Sequence, residues 1–373
     1  RAQELGLKIF SYPEYLYEQS RDKKRVVIGG SHGKTTITAM ILHVLKQLGR
    51  DFDYMVGAQL DGFDTMVRLT ESAPVIILEG DEYLSSPIDR RPKFHLYHPH
   101  LALISGIAWD HINVFPTYEE YRDQFRLFLE LIEPDGTLIY CEADPEVDQL
   151  VQASGQPENR IPYGTPEHRI QNGVSHLVWE GKEYPLQVFG THNLQNLNGA
   201  RLILRELGVD DALFLEAIQS FGGAARRLEL LQQAEHSAVY KDFAHSPSKL
   251  KATTQAVKAQ YPDRHLVACM ELHTFSSLNA TFLEEYRHAM DGADTAIVYY
   301  NPHTIAHKRL PPIDTSQVKA AFARDDLQVL TASEDLLQQL TGMSFHDRNL
   351  LLMSSGNFDG LDLKALAASI VQQ

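Results

Sequence analysis

Cysteine is scarce: Cys141 and Cys269 are the two in 373 residues. Both fall in apolar, strand-like runs with no Cys/His cluster around them, which argues against a structural zinc centre and fits core residues of a reduced, cytoplasmic protein. Basic residues are in deficit as well. Lys and Arg total 34 against 49 Asp and Glu, a formal net charge of −15, so the chain lacks the basic face that nucleic-acid binding needs. The plain reading of that acidity is solubility. No run of about eighteen apolar residues occurs, so no membrane-spanning helix is expected. Internal repeats and low-complexity tracts are absent too.

At 373 residues the chain is long enough for two or three domains, each with a sizeable core. It opens at Arg1 rather than at a methionine. Ala2 to Leu5 reads as helix, Leu7 to Phe10 as strand and Pro13 to Gln19 as the start of another helix. Residues 1–22 are therefore expected to be the tail end of an upstream domain.

The stretch that organises the rest is Arg25-Val26-Val27-Ile28-Gly29-Gly30-Ser31-His32-Gly33-Lys34-Thr35-Thr36. A β-branched run ends in two glycines, and beyond Lys34 the apolar residues Ile37, Met40, Ile41, Val44, Leu45 and Leu48 mark one helix face, with Gly49 at its C-terminal end. Strand, tight loop and helix in that order aim loop amides and a helix N-terminus at one point. Lys34 reaches the same point, and the Thr35 hydroxyl stands ready for Mg²⁺. The motif is a shortened one, because Ile28 stands where a full phosphate loop has its first glycine. The competing reading is a strand-to-helix turn that happens to carry a lysine.

Further buried strands are expected at Pro74 to Leu78, Leu101 to Ser105 and Thr137 to Cys141, with a helix over Tyr118 to Leu131. Alternating strands and helices imply a parallel sheet with ligands at the carboxyl ends of its strands. From Pro162 to Phe189 the pattern changes to short strands with turns at Asn172-Gly173 and Glu180-Gly181, read as an antiparallel addition to that sheet. Helices follow at Asn193 to Leu207 and Asp211 to Ser220, and Phe221-Gly222-Gly223 marks a boundary. Strands near 238, 265, 295, 327 and 349 then form a second unit. The expected fold is α/β: a central P-loop-type, mostly parallel sheet with a small antiparallel addition, then a Rossmann-like doubly wound domain.

Glu79 and His111 both follow buried strands, where a carboxylate and a neutral imidazole suit Mg²⁺ beside a triphosphate. The alternatives are a strand-capping acid and an ordinary hydrogen-bonded histidine. Thr191-His192-Asn193-Leu194-Gln195-Asn196 opens a helix with groups that read a base edge or merely cap the helix. In Ala225-Arg226-Arg227-Leu228-Glu229, Arg227 is a candidate phosphate clamp, or part of a solvated face. In Asp242-Phe243-Ala244-His245-Ser246-Pro247, Asp242 is a candidate for a ribose hydroxyl or metal-bound water and His245 for a second substrate; an Asx turn is the alternative. Ser354-Ser355-Gly356-Asn357 reads as an anion-binding turn or a plain loop.

Taken in order, these motifs resemble those of the Mur ligases. Gly30-Ser31-His32-Gly33-Lys34-Thr35 is similar to the family's phosphate loop, with serine for threonine. Glu79-Gly80-Asp81-Glu82, Asp110-His111 and His192-Asn193-Leu194-Gln195-Asn196 look like its acidic, Asp-His and His-Asn motifs. The Arg226-Arg227 and Asp242-to-Pro247 elements match with alanine, phenylalanine and serine as departures.

The resemblance implies an ATP-dependent ligase of peptidoglycan biosynthesis with Mg²⁺, which activates a carboxylate as acyl phosphate for attack by an amine. It implies nucleotide contacts from Gly30 to Thr36, His192, Asn193, Asn196, Arg227 and Asp242, metal ligation by Thr35, Glu79 and His111, and catalysis by Lys34, Glu79, His111 and Arg227. It also implies domains at 1–22 (UDP-binding), 23–222 (ATP-binding) and 223–373 (amino substrate).

Phe125 stands where some branches carry a carbamoylated lysine, which points to the branch acting on UDP-N-acetylmuramate. Glu82-Tyr83, Asp89-Arg90-Arg91-Pro92-Lys93-Phe94 and Met353 to Phe358 favour L-alanyl-γ-D-glutamyl-meso-diaminopimelate as the amine, with L-alanine the alternative. Glu271-Leu272-His273-Thr274-Phe275 lacks the arginine expected for either. A folylpolyglutamate-synthetase-like ligase and a catalytically inactive nucleotide-binding module are the remaining readings. The sequence leaves the oligomeric state open.

Overall fold

A computed structural model describes Arg1, residues 4–224 and residues 227–372. The chain divides into two compact units. The first comprises Arg1–Arg169, His176–Gln187 and His192–Ala224; the second comprises Ile170–Ser175, Val188–Thr191 and the chain from Ala225 onward.

The first unit opens with helix α1 (Tyr12–Glu18), started by Pro13 and by a reciprocal cap between Ser11 and Glu14. Strand β1 (Lys24–Gly29) runs into helix α2 (Lys34–Gln47). Strands β2 (Asp53–Met55), β3 (Val67–Arg68), β4 (Val75–Glu79) and β5 (Leu101–Ile104) precede helix α3 (Tyr118–Glu130). Strand β6 (Thr137–Cys141), helix α4 (Pro145–Ala153) and strand β7 (Asn159–Tyr163) complete a seven-stranded sheet in the order β3-β2-β4-β1-β5-β6-β7. Its pairings are parallel except that of β2 with β3.

The order matters for function. After β1 the chain returns once on each side of it, as β4 and then as β5, so three consecutive carboxyl ends meet at one edge. That is where open parallel sheets bind ligands. The strands are apolar because they are covered on both faces: Val26, Val27 and Ile28 are fully buried, as are Ile76 to Leu78 and Ala102 to Ile104. Phe94 and Phe128 stack at 4.5 Å, with Phe125 edge-on to Phe94 at 5.5 Å, and hold α3 against the short 3-10 turn Lys93–Leu96.

Strands β8 (His168–Gln171), β9 (Val174–Trp179) and β10 (Lys182–Leu186) turn at Asn172-Gly173 and Glu180-Gly181, all with positive φ as two-residue hairpins require. These three form a sheet of their own, in the order β10-β9-β8. The expected addition to the first sheet is thus corrected: only the segment before it, β7, joins the large sheet, because it alone runs parallel beside β6. Leu7 to Phe10, expected as strand, forms none, since no strand among the described residues pairs with it. Of the expected opening helix, Ala2 and Gln3 lie outside the described residues. Helices α5 (Thr191–Glu206) and α6 (Asp211–Ile218) follow.

In the second unit β11 (Glu229–Gln233), β12 (Ser237–Asp242), α7 (Pro247–Gln260), β13 (His265–Glu271), β14 (Thr295–Tyr299), α8 (Pro302–His307), α9 (Thr315–Phe322), β15 (Gln328–Leu330), α10 (Ser333–Gly342), β16 (Arg348–Met353) and α11 (Leu363–Val371) form a doubly wound unit. The sheet order is β11-β12-β16-β13-β14-β15, parallel except for β11. Cys141 and Cys269 are buried and unpaired, and burial pushes both thiols up.

Candidate active site

The turn from β1 to α2 is built on two glycines. Gly30 sits at φ 132, and a Cβ there would lie 2.2 Å from Ser105 Oγ; Gly33 sits at φ 79, where a Cβ would lie 2.4 Å from Asn196 Oδ1. Neither position admits a side chain, so the loop runs hard against the end of β5 on one side and α5 on the other. Ser31 is pinned by its N–H to Gly106 O (2.9 Å), and its Oγ accepts from Ala108 N and meets His32 Nδ1, each at 2.9 Å. Helix α2 has no side-chain cap at its N-terminus, unlike α1, α3 and α4. Its first-turn amides are thus left for an anion. Thr36 is buried in that first turn.

Gly33→Ala is expected to cost about 1–2 kcal/mol through the left-handed backbone alone, and to weaken nucleotide binding. Adding Asn196→Ala relieves the contact but not the torsion. Urea unfolding of the two variants should therefore show partial recovery; full recovery would mean that the contact, not the backbone, sets the loop.

Lys34 extends from α2 back over this turn, its ammonium 2.6 Å from Gly30 O and 2.5 Å from Glu82 Oε2. Burial works against that charge, but the carboxylates of Glu82, Asp81 and Glu79 outweigh it and hold the pKa above the ordinary lysine value. Glu82 is itself enclosed: Tyr121 OH donates to its Oε1 (3.1 Å), and His111 Nε2 stands 3.7 Å from the same oxygen. His111 is presented by a left-handed residue (φ 57), fixed by Val114 N and Phe115 N donating to its carbonyl. Its ring meets that of Tyr83 edge-on at 5.2 Å.

Beside this group, Thr35 Oγ1 donates to Glu79 Oε1 (2.8 Å) and Gly57 N to Glu79 Oε2 (2.7 Å). Asp81 is paired with Lys93 at 2.6 Å. Burial opposes the Asp81 charge, yet Lys34 and Lys93 hold its pKa below the usual range. Three carboxylates thus share two ammonium groups, and Glu79 has no ion-pair partner among the described residues. The excess negative charge and the Thr35–Glu79 oxygen pair suit a hard divalent cation such as Mg²⁺, and the uncapped helix and Lys34 suit the phosphates it accompanies.

The structure brings Gly30 to Thr36, Glu79 and His111 to one sheet edge, with Asn196 against the loop. Asn193 is buried in the first turn of α5. His192 lies beside it, and desolvation pushes its imidazole down to about 4. The unfolded chain binds that proton near the ordinary 6.5, so stability present above pH 6.5 is lost as pH falls toward 4. His192→Gln should remove this component. The wild-type urea midpoint should fall relative to the variant's with acidification; parallel curves would assign the acid sensitivity elsewhere.

In the second unit Asp242 is committed to backbone: Oδ2 accepts from Leu228 N and Oδ1 from Ala244 N, each at 2.6 Å. The second bond is the Asx turn weighed as the alternative. Burial raises the Asp242 pKa, with Arg227 opposing. The Arg227 guanidinium lies 4.7 Å over the Phe243 ring. His245 Nδ1 is 2.8 Å from Phe243 O, with its own ring edge-on to that of Phe243. Ala225 and Arg226 lie outside the described residues. Glu82 and Tyr121 were not picked out by the sequence reading as site residues. Glu82 stood in the acidic string, but only the tertiary fold shows that it, rather than Glu79, holds Lys34.

Two family models match this arrangement: "Mur ligase middle domain" over residues 28–204 and "Mur ligase, glutamate ligase domain" over residues 226–356. The chain belongs to the Mur ligase family. Among its curated Mur ligase relatives is the UDP-N-acetylmuramate–L-alanine ligase of Roseiflexus sp. (strain RS-1), 26% identical over 354 residues that cover 84% of this chain and 73% of that protein. The enzyme of the same name from Mycobacterium marinum is 30% identical, over 79% of this chain and 63% of that one.

The chain spans about two thirds of the length of many of these relatives. The fold is shared with a murein peptide ligase from Psychrobacter arcticus (TM-score 0.64, 21% identity, 100% of this chain and 82% of that one). It is shared also with MurF from Acinetobacter baumannii (TM-score 0.72, 18% identity, 97% and 79%). No helix among the described residues is long and apolar enough to cross a membrane.

Proposed function

We propose that this Mur ligase uses ATP to join a UDP-N-acetylmuramate carboxylate to the amine of L-alanyl-γ-D-glutamyl-meso-diaminopimelate. The observation that carries the ATP part is the position of Lys34, held between the Gly30 carbonyl and Glu82 at the mouth of an uncapped helix, with Thr35 and Glu79 alongside.

In the proposed reaction a carboxylate oxygen attacks the γ-phosphorus of ATP, the bond to the β-γ bridging oxygen breaks, and ADP leaves. The amine nitrogen then attacks the acyl carbon, and the collapsing tetrahedral species expels phosphate and gives up a proton from nitrogen. Lys34 and Arg227 stabilise charge on the transferring phosphoryl group, while loop amides from Gly30 to Thr36 orient it. Thr35, Glu79 and His111 would hold Mg²⁺, which when bound neutralises phosphate charge. Glu82, braced by Tyr121, keeps Lys34 charged and placed. His192, Asn193 and Asn196 are assigned to the nucleotide side, and Asp242 acts by positioning Arg227. His245 is assigned to the amino substrate.

L-alanine is the second reading of the amine, favoured by the names of the curated relatives. The test is incubation with ATP, UDP-N-acetylmuramate labelled with ¹⁸O in its carboxylate, and each amine in turn. The reading requires amide product from the tripeptide and one labelled oxygen in the released phosphate. Label in phosphate with product from L-alanine alone would reassign the amine; ATP hydrolysis without label or amide would contradict the ligase.

A further inference from the structure

The amino ends of β12 and β16, at the opposite end of the second sheet from Asp242, carry side chains that the ligase reaction does not use. These strands run parallel with Ser237 opposite Arg348. One step earlier in the same register, His236 therefore lies beside Asp347. Both approaches are tight. Ala234 N donates to Ser237 O (2.8 Å), and Arg264 Nη2 holds the Glu235 carbonyl (2.7 Å). His265 N donates to Asp347 O (2.9 Å), and Asp347 takes a left-handed backbone at φ 55 that swings its neighbour His346 toward His236.

The result is a convergent donor set. His236 Nδ1 is 2.9 Å from Asp347 Oδ1, and His346 Nδ1 is 3.1 Å from Asp347 Oδ2. The two imidazoles stack with centroids 4.6 Å apart and planes at 18°. One ligand atom from each of the three residues lies within 4.8 Å of the others, and all three side chains are open to solvent.

We propose that His236, His346 and Asp347 form a binding site for a divalent transition ion of the zinc type. Two imidazole nitrogens and one carboxylate oxygen are a donor set for zinc, with a fourth tetrahedral position left to water. Magnesium, which takes oxygen ligands, is not its occupant. On binding, each ring carries its hydrogen on Nε2, so that Nδ1 offers a lone pair. Glu235 Oε1, 3.8 Å from His236 Nε2, is the carboxylate that orients the first ring in that form. The ion ties the turn before β12 to the turn before β16 and stabilises the second unit.

The experiment is calorimetric titration of the full chain with zinc chloride in excess magnesium near neutral pH, paired with thermal melts. Wild type is compared with His236→Ala, His346→Ala and Asp347→Asn. Wild type should bind one zinc with these ligands, each variant should weaken that binding at least about tenfold, and zinc should raise the wild-type melting midpoint but not those of the variants. The positions are exposed, so the zinc-free midpoints should match; a variant that fails this check leaves the other two to decide. Absence of zinc uptake by wild type, or wild-type uptake by the variants, overturns the proposal.

Discussion

Lys34→Ala is expected to lower ATP turnover by at least about 10³-fold, since removing one preorganised charge from a phosphoryl-transfer site has effects of that order. The same change should lower stability. Glu82 is almost wholly buried, and Lys34 is its cationic partner at 2.5 Å. Without it the carboxylate keeps, among the described residues, Tyr121 OH at 3.1 Å and the more distant His111. Breaking a buried pair from one side costs about 3–5 kcal/mol. A second change, Glu82→Gln, neutralises the stranded acid and should recover most of that stability while turnover stays lost. Urea unfolding and phosphate release on the single and double variants separate the two effects. Recovery of turnover together with stability would show that Lys34 serves the fold rather than the nucleotide.

Arg227→Ala should reduce turnover by about 10³-fold, the scale on which an arginine acts on a transferring phosphoryl group, and leave affinity for a non-hydrolysable nucleotide nearly unchanged. The expectation rests on how the residue is held. Leu228 N donates to Asp242, and the guanidinium lies over the Phe243 ring. Arg227→Lys should recover little, because an ammonium lacks the planar fork that both stacks and donates in parallel. Equal losses in binding and turnover would place Arg227 in ground-state recognition instead.

Most of the fold was legible because its strands are buried on both faces and so write themselves as unbroken apolar runs, as at Val75–Glu79, Leu101–Ile104 and Arg348–Met353. Two of the edge strands were not. Val67–Arg68 and Glu229–Gln233 are short or polar, and only their neighbours make them strands. Leu7 to Phe10 shows the converse, an apolar run without a partner.

At the site, Gly33-Lys34-Thr35 could be read because a helix N-terminus and its glycine are local features. Glu82 and Tyr121 could not, since they lie far apart in sequence and meet only through the fold, where Tyr121 OH donates to Glu82. Asp242 illustrates a third case: the sequence offers it both as a ligand group and as an Asx turn, and in the fold its two oxygens accept from Leu228 N and Ala244 N.

The most direct measurement is calorimetric titration of the chain with a non-hydrolysable ATP analogue, with and without magnesium, in wild type and in the Lys34→Ala/Glu82→Gln double variant. One magnesium-dependent site in wild type, lost in the stable double variant, is the predicted result. Wild type that binds no nucleotide, or a double variant that binds it equally well, would contradict the assignment of the turn at Gly30 to Thr36 as the phosphate site.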